Sequence, residues 1–333
     1  MKYGKEKDDN VDDPSGGMLR AFTNRNYTRL WFSNCLSYIA RWMQVTLLAW
    51  LILELTDSPW YVSLVGFFFM FPTLAFGLVG GILADGMDRR RLLIISQGIS
   101  AVVSIWLTWL LVGGTVHVWQ AYLTALINGA SWAISFPSRR ALIYDLWGAS
   151  GVTNAVALDT VGMNISRILG PALGGVLITL TGVGGGYSAV TLSYAIGLIL
   201  LWPMKAGRLL KREQPRRSVF QNLIEGFRYV RRTRSILAVV WITVVVNFFL
   251  FSYPPMVSVV ARDVLHVGPA LMGVLQAAEG FGALVGAMII AASVSIRYHG
   301  RIFLYGSMLA FAALCLFSIS RSYLFSFNTL LGL

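Results

Sequence analysis

Apolar positions fill this chain in long runs, near 30–54, 60–83, 92–112, 118–137, 154–179, 187–204, 236–258, 270–292 and 302–320. A helix crosses the hydrocarbon of a bilayer with roughly 20 apolar residues, so each run predicts one membrane-spanning helix. A tenth run starts near Tyr323 and reaches Leu333, about half the length of a crossing. The breaks between runs are short and polar, with one exception. Lys205–Arg234 is long and basic, and it divides six helices from those that follow. The expected fold class is all-α and polytopic. A polar tail covers 1–28, a six-helix bundle 29–204, a linker 205–235, and an incomplete second bundle 236–333. Within the linker, Ser218-x-x-Gln221 fits a capping box, and Phe220, Leu223, Ile224, Phe227 and Val230 recur at helical spacing with arginines opposite. That pattern predicts an amphipathic helix lying on the membrane surface.

Composition agrees, and charge adds an orientation. The 333 residues are 56% hydrophobic and 13% charged, half the ~25% charge of soluble domains. Net charge is +12, yet no basic patch is interleaved with stacking aromatics, so no nucleic-acid partner is expected. Of the 27 Lys and Arg, Arg262 and Arg321 fall on one side of the alternating loops, and Arg41 and Arg167 fall inside helices. The other 23, Arg139 and Arg140 included, fall on the opposite side. Basic loops stay in the cytoplasm, which places the N-terminus there. No cleavable signal is visible in the polar tail. Cys35 and Cys315 each lie in an apolar run and read as small core residues. His117, His266 and His299 sit in separate loops without ligand spacing, so no metal site is expected.

The sharpest break is Gly81-Ile-Leu-Ala-Asp85-Gly-Met-Asp88-Arg89-Arg90-Arg91. It resembles the signature loop between helices 2 and 3 of the major facilitator superfamily, through Gly81, Leu83, Ala84, Asp85, Arg89 and Arg90. Gly86 stands where that loop commonly has a basic residue, and Asp88 where it commonly has glycine. The resemblance implies a conformational-switch loop of Gly81, Asp85, Asp88, Arg89, Arg90 and Arg91 that holds cytoplasmic helix ends together and releases them as access switches. Gly170-Pro171-Ala-Leu-Gly174-Gly175 resembles the helix-5 motif of the superfamily's exporters and antiporters, with Ser166 and Ala157 in place of its upstream glycines. Phe136-Pro-Ser-Arg139-Arg140 and Asn154-Ala-Val-Ala-Leu158 resemble the branch that includes enterobactin and macrolide exporters, and the similarity runs from about Asn26 to the C-terminus. It implies the major facilitator fold, two pseudo-repeated six-helix bundles with the second incomplete. Arg297-Tyr-His-Gly300-Arg301 echoes the basic 2–3 turn at that six-helix period. On this count the chain lacks its last two and a half helices.

Charges inside spans mark candidate sites, because each costs on the order of 3 kcal/mol and needs a partner or a wet cavity. Arg41 shares a face of helix 1 with Asn34, Ser37, Tyr38 and Gln44. Thr160, Asn164 and Arg167 share a face of helix 5. Glu279, read as the only carboxylate deep in a span, lies one turn after Gln276 in helix 8. It is either a proton carrier or the static counter-ion of Arg41 or Arg167. Helix 4 offers Thr124, Asn128, Ser131 and Ser135, and helix 7 offers Asn247 ahead of Pro254-Pro255. The arginine that many drug/proton antiporters carry in helix 4 is absent from 118–137. Asp159 and Glu54, near helix ends, are expected to meet headgroups or loops. The candidate substrate and ion cavity is therefore Asn34, Arg41, Gln44, Asn128, Asn164, Arg167, Asn247, Gln276 and Glu279, with Phe67, Phe68, Phe69 and Phe71 as possible aromatic lining.

No phosphate-binding G-x-x-x-x-G-K-[ST], H-E-x-x-H or G-x-S-x-G motif occurs, so neither an enzyme nor a cofactor is expected. The resemblance implies a monomeric secondary transporter of the inner membrane. Its cargo would be a siderophore or an amphiphilic drug such as a macrolide, exported by alternating access with protons as coupling ion. Two arginines against one glutamate favour an anionic cargo. The alternative is a non-transporting sensor or scaffold, or an inactive product. If the transport reading holds, Arg41→Ala and Glu279→Gln each abolish export while expression is unchanged. Full transport by both variants would contradict the cavity assignment.

Overall fold

The computed structural model describes residues 18–204, 228, 231, 233–250, 253–292 and 299–333. The expected surface helix around 218–230, the basic turn at Arg297, and the side chains of Asp85 and Asn247 lie outside what it describes. Among the described residues the architecture is all helical. After a 3-10 turn over Met18–Thr23, α1 spans Arg25–Thr56, capped by Asn24, whose side chain accepts from the Asn26 and Tyr27 N–H groups. It ends at Asp57, which turns left-handed at φ 51°. Pro59 opens α2 (Pro59–Gly86) at the position where a missing N–H costs nothing. Asp88 then caps α3 (Arg89–Val112), accepting from the N–H groups of Arg90 and Arg91 at 2.9 and 3.2 Å. The aspartate that departs from the superfamily loop thus has a local reason, since N-cap carboxylates satisfy otherwise orphaned donors.

One helical run, Val118–Leu201, follows, interrupted at Gly148 (φ 64°) and Gly182 (φ 73°). These left-handed glycines divide it into α4 (118–147), α5 (149–181) and α6 (183–201). Next come α7 (Arg234–Leu250), a short helical turn Met256–Val259 continuing into Val260–Val264, α8 (Pro269–Ala292), α9 (His299–Ile319) and α10 (Tyr323–Leu331). Each of the ten apolar runs carries a helix among the described residues, with one consequential shift. Pro137 does not end α4 but lies inside it, so Arg139 and Arg140 belong to the helix and not to a loop. A transmembrane helix tolerates such a proline where neighbours take up the freed backbone groups.

Helix α1 is the hub. Its consecutive residues Thr46–Leu53 are all buried, the mark of a helix enclosed on all sides. Outer helices instead expose large apolar side chains such as Leu74, Trp109 and Leu180, suited to lipid. Arg25–Thr56, Pro59–Gly77, Arg89–Val112 and Gly151–Leu201 are each long and apolar enough to cross a membrane.

Two prolines build the tightest crossings. Proline cannot donate to the carbonyl four residues earlier, so Pro137 frees Ala133 O and Pro171 frees Arg167 O. Gly80 of α2 packs against the Ala133 carbonyl, and a Cβ there would come within 3.0 Å of its carbon. Gly280 of α8 packs against Arg167, where a Cβ would meet the carbonyl oxygen at 3.1 Å. In both places a freed carbonyl meets a glycine, allowing the close backbone approach that drives helix association in lipid. Farther along α5, Gly175 lies on Gly273 of α8, backbone to backbone, at a 2.9 Å Cβ clearance. Gly170 packs on α1 at Ile39 and Met43, whereas Gly174 meets Thr46 at ordinary contact distance and Gly81 has open space beside it.

Gly273→Val should therefore force α5 and α8 apart, costing about 1–3 kcal/mol as overpacking does. Gly286→Val, on the same helix with nothing within 4 Å, should be tolerated. Thermal unfolding of the two variants in detergent checks the contrast, and equal losses would contradict it.

Candidate functional site

The polar face of α1 turns into the interior of the first bundle. Asn34 is its pivot. Its Oδ1 accepts from the Arg139 guanidinium of α4, and its Nδ2 donates to Asp159 of α5 at 2.8 Å. Tyr38 adds its hydroxyl to the same carboxylate at 3.2 Å, and Arg139 also donates to Gln97 of α3 at 3.3 Å. Three helices are joined through one amide, and Arg139 ties in the fourth. Asp159, 1% exposed, is therefore a core residue and not a headgroup contact, and Glu279 has a second buried carboxylate for company. Glu54, by contrast, accepts from Trp50 within its own helix at 2.6 Å.

Arg41, 9% exposed, lies over the ring of Trp132 at 4.3 Å and near Phe69 at 5.5 Å. Among the described residues it has no hydrogen-bond acceptor and no carboxylate. Cation–π contact is its compensation. Of the four helix-2 phenylalanines, Phe69 faces this arginine, Phe68 stacks on Tyr122, and Phe67 and Phe71 stand exposed. Gln44 donates to Tyr187 of α6. Asn128 donates back to Thr124 at 3.0 Å and leaves its Oδ1 without a partner. Beside these groups runs a polar cavity of about 20 Å³ lined by Ser37, Gln97, Ser100, Asn128, Ser131 and Arg139 among others.

A second cavity lies between the two halves, lined by Trp42, Thr46, Arg167, Pro171, Gln276 and Glu279. Here Arg167 of α5 and Glu279 of α8 form an ion pair, which identifies the counter-ion of that glutamate. Arg167 also faces the Trp42 ring at 5.2 Å. Gln276 accepts from Thr46 at 2.5 Å and donates to Pro254 O at 3.1 Å. Asn164 is half-buried and lines neither cavity. The opposite edge of α1, not the face of Asn34 and Arg41, thus looks toward the second half.

Contacts continue from this ion pair toward the membrane face opposite the 2–3 turn. Gly175 lies on Gly273, and Ala270 N–H donates to Thr179 Oγ1 at 3.1 Å. Thr179 is about 18 Å along α5 from Arg167, more than half of a ~30 Å hydrocarbon layer. At that face Arg262 donates to Asp57, to Asp263 at 2.6 Å and to Leu53 O at 3.1 Å. These bonds, Asp263 foremost, raise the arginine's already high pKa. On the other face, Arg89 pairs with Asp145 of α4, and Arg90 donates to Leu201 O and Trp202 O at the end of α6.

Long apolar helices closed over internal charge pairs define a polytopic membrane protein. The chain belongs to the transmembrane secretion effector family of the major facilitator superfamily, whose model matches residues 17–332. Among curated relatives, the uncharacterized MFS-type transporter YfiS of Bacillus subtilis is 23% identical, over 77% of this chain and 61% of its own length. The staphyloferrin A transporter of Staphylococcus aureus is 23% identical over 84% and 70%. The enterobactin exporter EntS of Escherichia coli is 24% identical over 80% and 63%. The chain thus spans some six- to seven-tenths of these relatives. In fold it is similar to an inward-facing bacterial homologue of the lysosomal transporter Spinster, at TM-score 0.68 and 15% identity over 92% of this chain and 71% of that one. The nucleoside transporter NupG matches at TM-score 0.68 and 11% identity, over 92% and 78%.

Sequence reasoning missed Arg139 and Asp159. Both were legible from their helical faces. Asp159 continues the line of Gly162, Ser166 and Gly170, small residues that mark close approach to α1, and Arg139 follows Asn128, Ser131 and Ser135 on α4. Breaking one member of a buried charge system costs about 3–5 kcal/mol, whereas replacing both charges can be nearly neutral. Asp159→Leu should therefore be severely destabilising, and Asp159→Leu with Arg139→Met should recover most of the loss. Unfolding of the single and double variants measures this. Strict additivity would show that the two charges are not coupled through Asn34.

Proposed function

We propose that this protein exports a small, anionic, hydrogen-bonding molecule of the siderophore class from the cytoplasm across the bacterial inner membrane, by alternating access coupled to protons. The observation that carries this reading is the Arg167–Glu279 ion pair across the seam between the halves. In the described conformation the halves are joined from this pair to the Arg262–Asp57 contact, so one face is closed. With basic loops in the cytoplasm, the closed face is the outer one. Anionic cargo entering from the cytoplasm competes with Glu279 for Arg167, breaks the pair and lets the seam open outward, where the cargo leaves and Glu279 takes up a proton. The protonated, unpaired seam closes again, the proton leaves to the cytoplasm, and the pair re-forms. Cargo and proton thus move in opposite directions. The resemblance to the staphyloferrin A transporter and the enterobactin exporter supports the cargo class, and an arginine freed from its carboxylate supplies the anion contact. A macrolide, the other cargo considered, offers no acid for that arginine.

Efflux of enterobactin from proteoliposomes, with acid on the side of the Arg262 contact, tests the proposal. A pH gradient should accelerate efflux by the wild type. Glu279→Gln should lose that acceleration at least about tenfold, some 1.4 kcal/mol of coupling, while keeping downhill exchange. Gradient-driven efflux by Glu279→Gln at the wild-type rate would refute the proton role.

A further inference from the structure

The first cavity lies wholly inside the six-helix bundle and takes no part in the export scheme. Its lining comes from α1, α3, α4 and α6, and none from α8. It holds an unusual surplus of donors. Ser100, Ser131 and Tyr194 are each at most 6% exposed, and among the described residues their hydroxyls have no hydrogen-bond partner. Arg139 lines the same space, is 3% exposed, and has a buried Nε–H without a partner. Arg41 lies beside it on Trp132, another lining residue.

Charge points the same way. Among the described residues, Arg41, Arg139 and Asp159 are the buried ionic groups of this bundle interior, and these three sum to one positive charge. Asp159 spends its oxygens on Asn34 and Tyr38 and does not line the cavity. Long side chains on a helix lean toward its N-terminus. The Arg139 head therefore points along α4 toward Ser135 and Ser131, and the Arg41 head along α1 toward Ser37. Arg139 thus lines the cavity, and Arg41, stacked on the lining Trp132, stands beside it. Its free volume of about 20 Å³ suits one water-sized or slightly larger particle and excludes any siderophore.

We propose that this cavity binds a single small monovalent anion of halide size, held between Arg41 and Arg139 by the hydroxyls of Ser100, Ser131 and Tyr194. The unpartnered acceptor Asn128 Oδ1 belongs to a residue eleven positions from Arg139, about 16 Å along α4, and takes no part in holding the anion. The anion neutralises the bundle interior and fixes α3 and α4 against α1. The site is independent of the cargo and of the Arg167–Glu279 pair.

The test uses the full-length chain in nanodiscs with chloride, bromide or gluconate at equal ionic strength. Chloride and bromide should raise the unfolding temperature and broaden the chloride-35 resonance, and gluconate should do neither. Arg41→Gln should abolish both effects. Ser100→Ala with Ser131→Ala, which removes two hydroxyls and no charge, should fold normally and weaken chloride at least roughly tenfold. Equal stabilisation by gluconate, or chloride broadening that survives in both variants, would show that the cavity holds only water and would overturn the proposal.

Discussion

A polar group inside a membrane cannot turn to water, so each must find its partner in the protein. The organisation of this chain follows from how it meets that demand. Asn34 meets the largest part, since one amide accepts from Arg139 and donates to Asp159. A direct Arg–Asp contact would fix two helices. The inserted amide, with Tyr38 and Gln97 attached, fixes α1, α3, α4 and α5 together. This ties the first bundle together around α1.

Between the halves the constraint is met differently. The backbone itself supplies the polar groups, as Pro171 frees the Arg167 carbonyl and Gly280 approaches it. Small residues make a surface that joins closely yet separates without leaving a buried charge alone, except at one point. That point is Glu279 with Arg167. The seam is therefore held by close backbone packing and a few hydrogen bonds along its length, by the buried Arg167–Glu279 pair at one end and by the exposed Arg262–Asp57 pair at the other.

Much of this was legible in the sequence. The apolar runs foretold the helices, and Gly170-Pro171-Ala-Leu-Gly174-Gly175 foretold the crossing, although only Gly170 and Gly175 of its glycines need to be glycine for space. The candidate residues were found wherever a charge interrupted an apolar run. What escaped had a common cause. Pro137 reads as a helix stop, because proline usually is one, and stopping there pushed Arg139 and Arg140 into a loop. Asp159 then looked like the start of a helix when α5 begins three turns earlier, just after Gly148. Periodicity also placed Asn34 and Arg41 on one face without saying which neighbour that face meets. Only the packing of α4 and α5 on α1 separates the interior of the first bundle from the space between the halves.

The most direct test of the account is the cross-linking rate between cysteines at positions 179 and 270, where the outer end of the seam is bonded, with Cys35 and Cys315 replaced by serine. At a fixed pH the pair should cross-link readily when Glu279 is present and several-fold more slowly in Glu279→Gln, because the neutral side chain no longer holds Arg167. A rate unchanged by that substitution would mean that the ion pair does not govern the seam, and the proton-coupled cycle would fail with it.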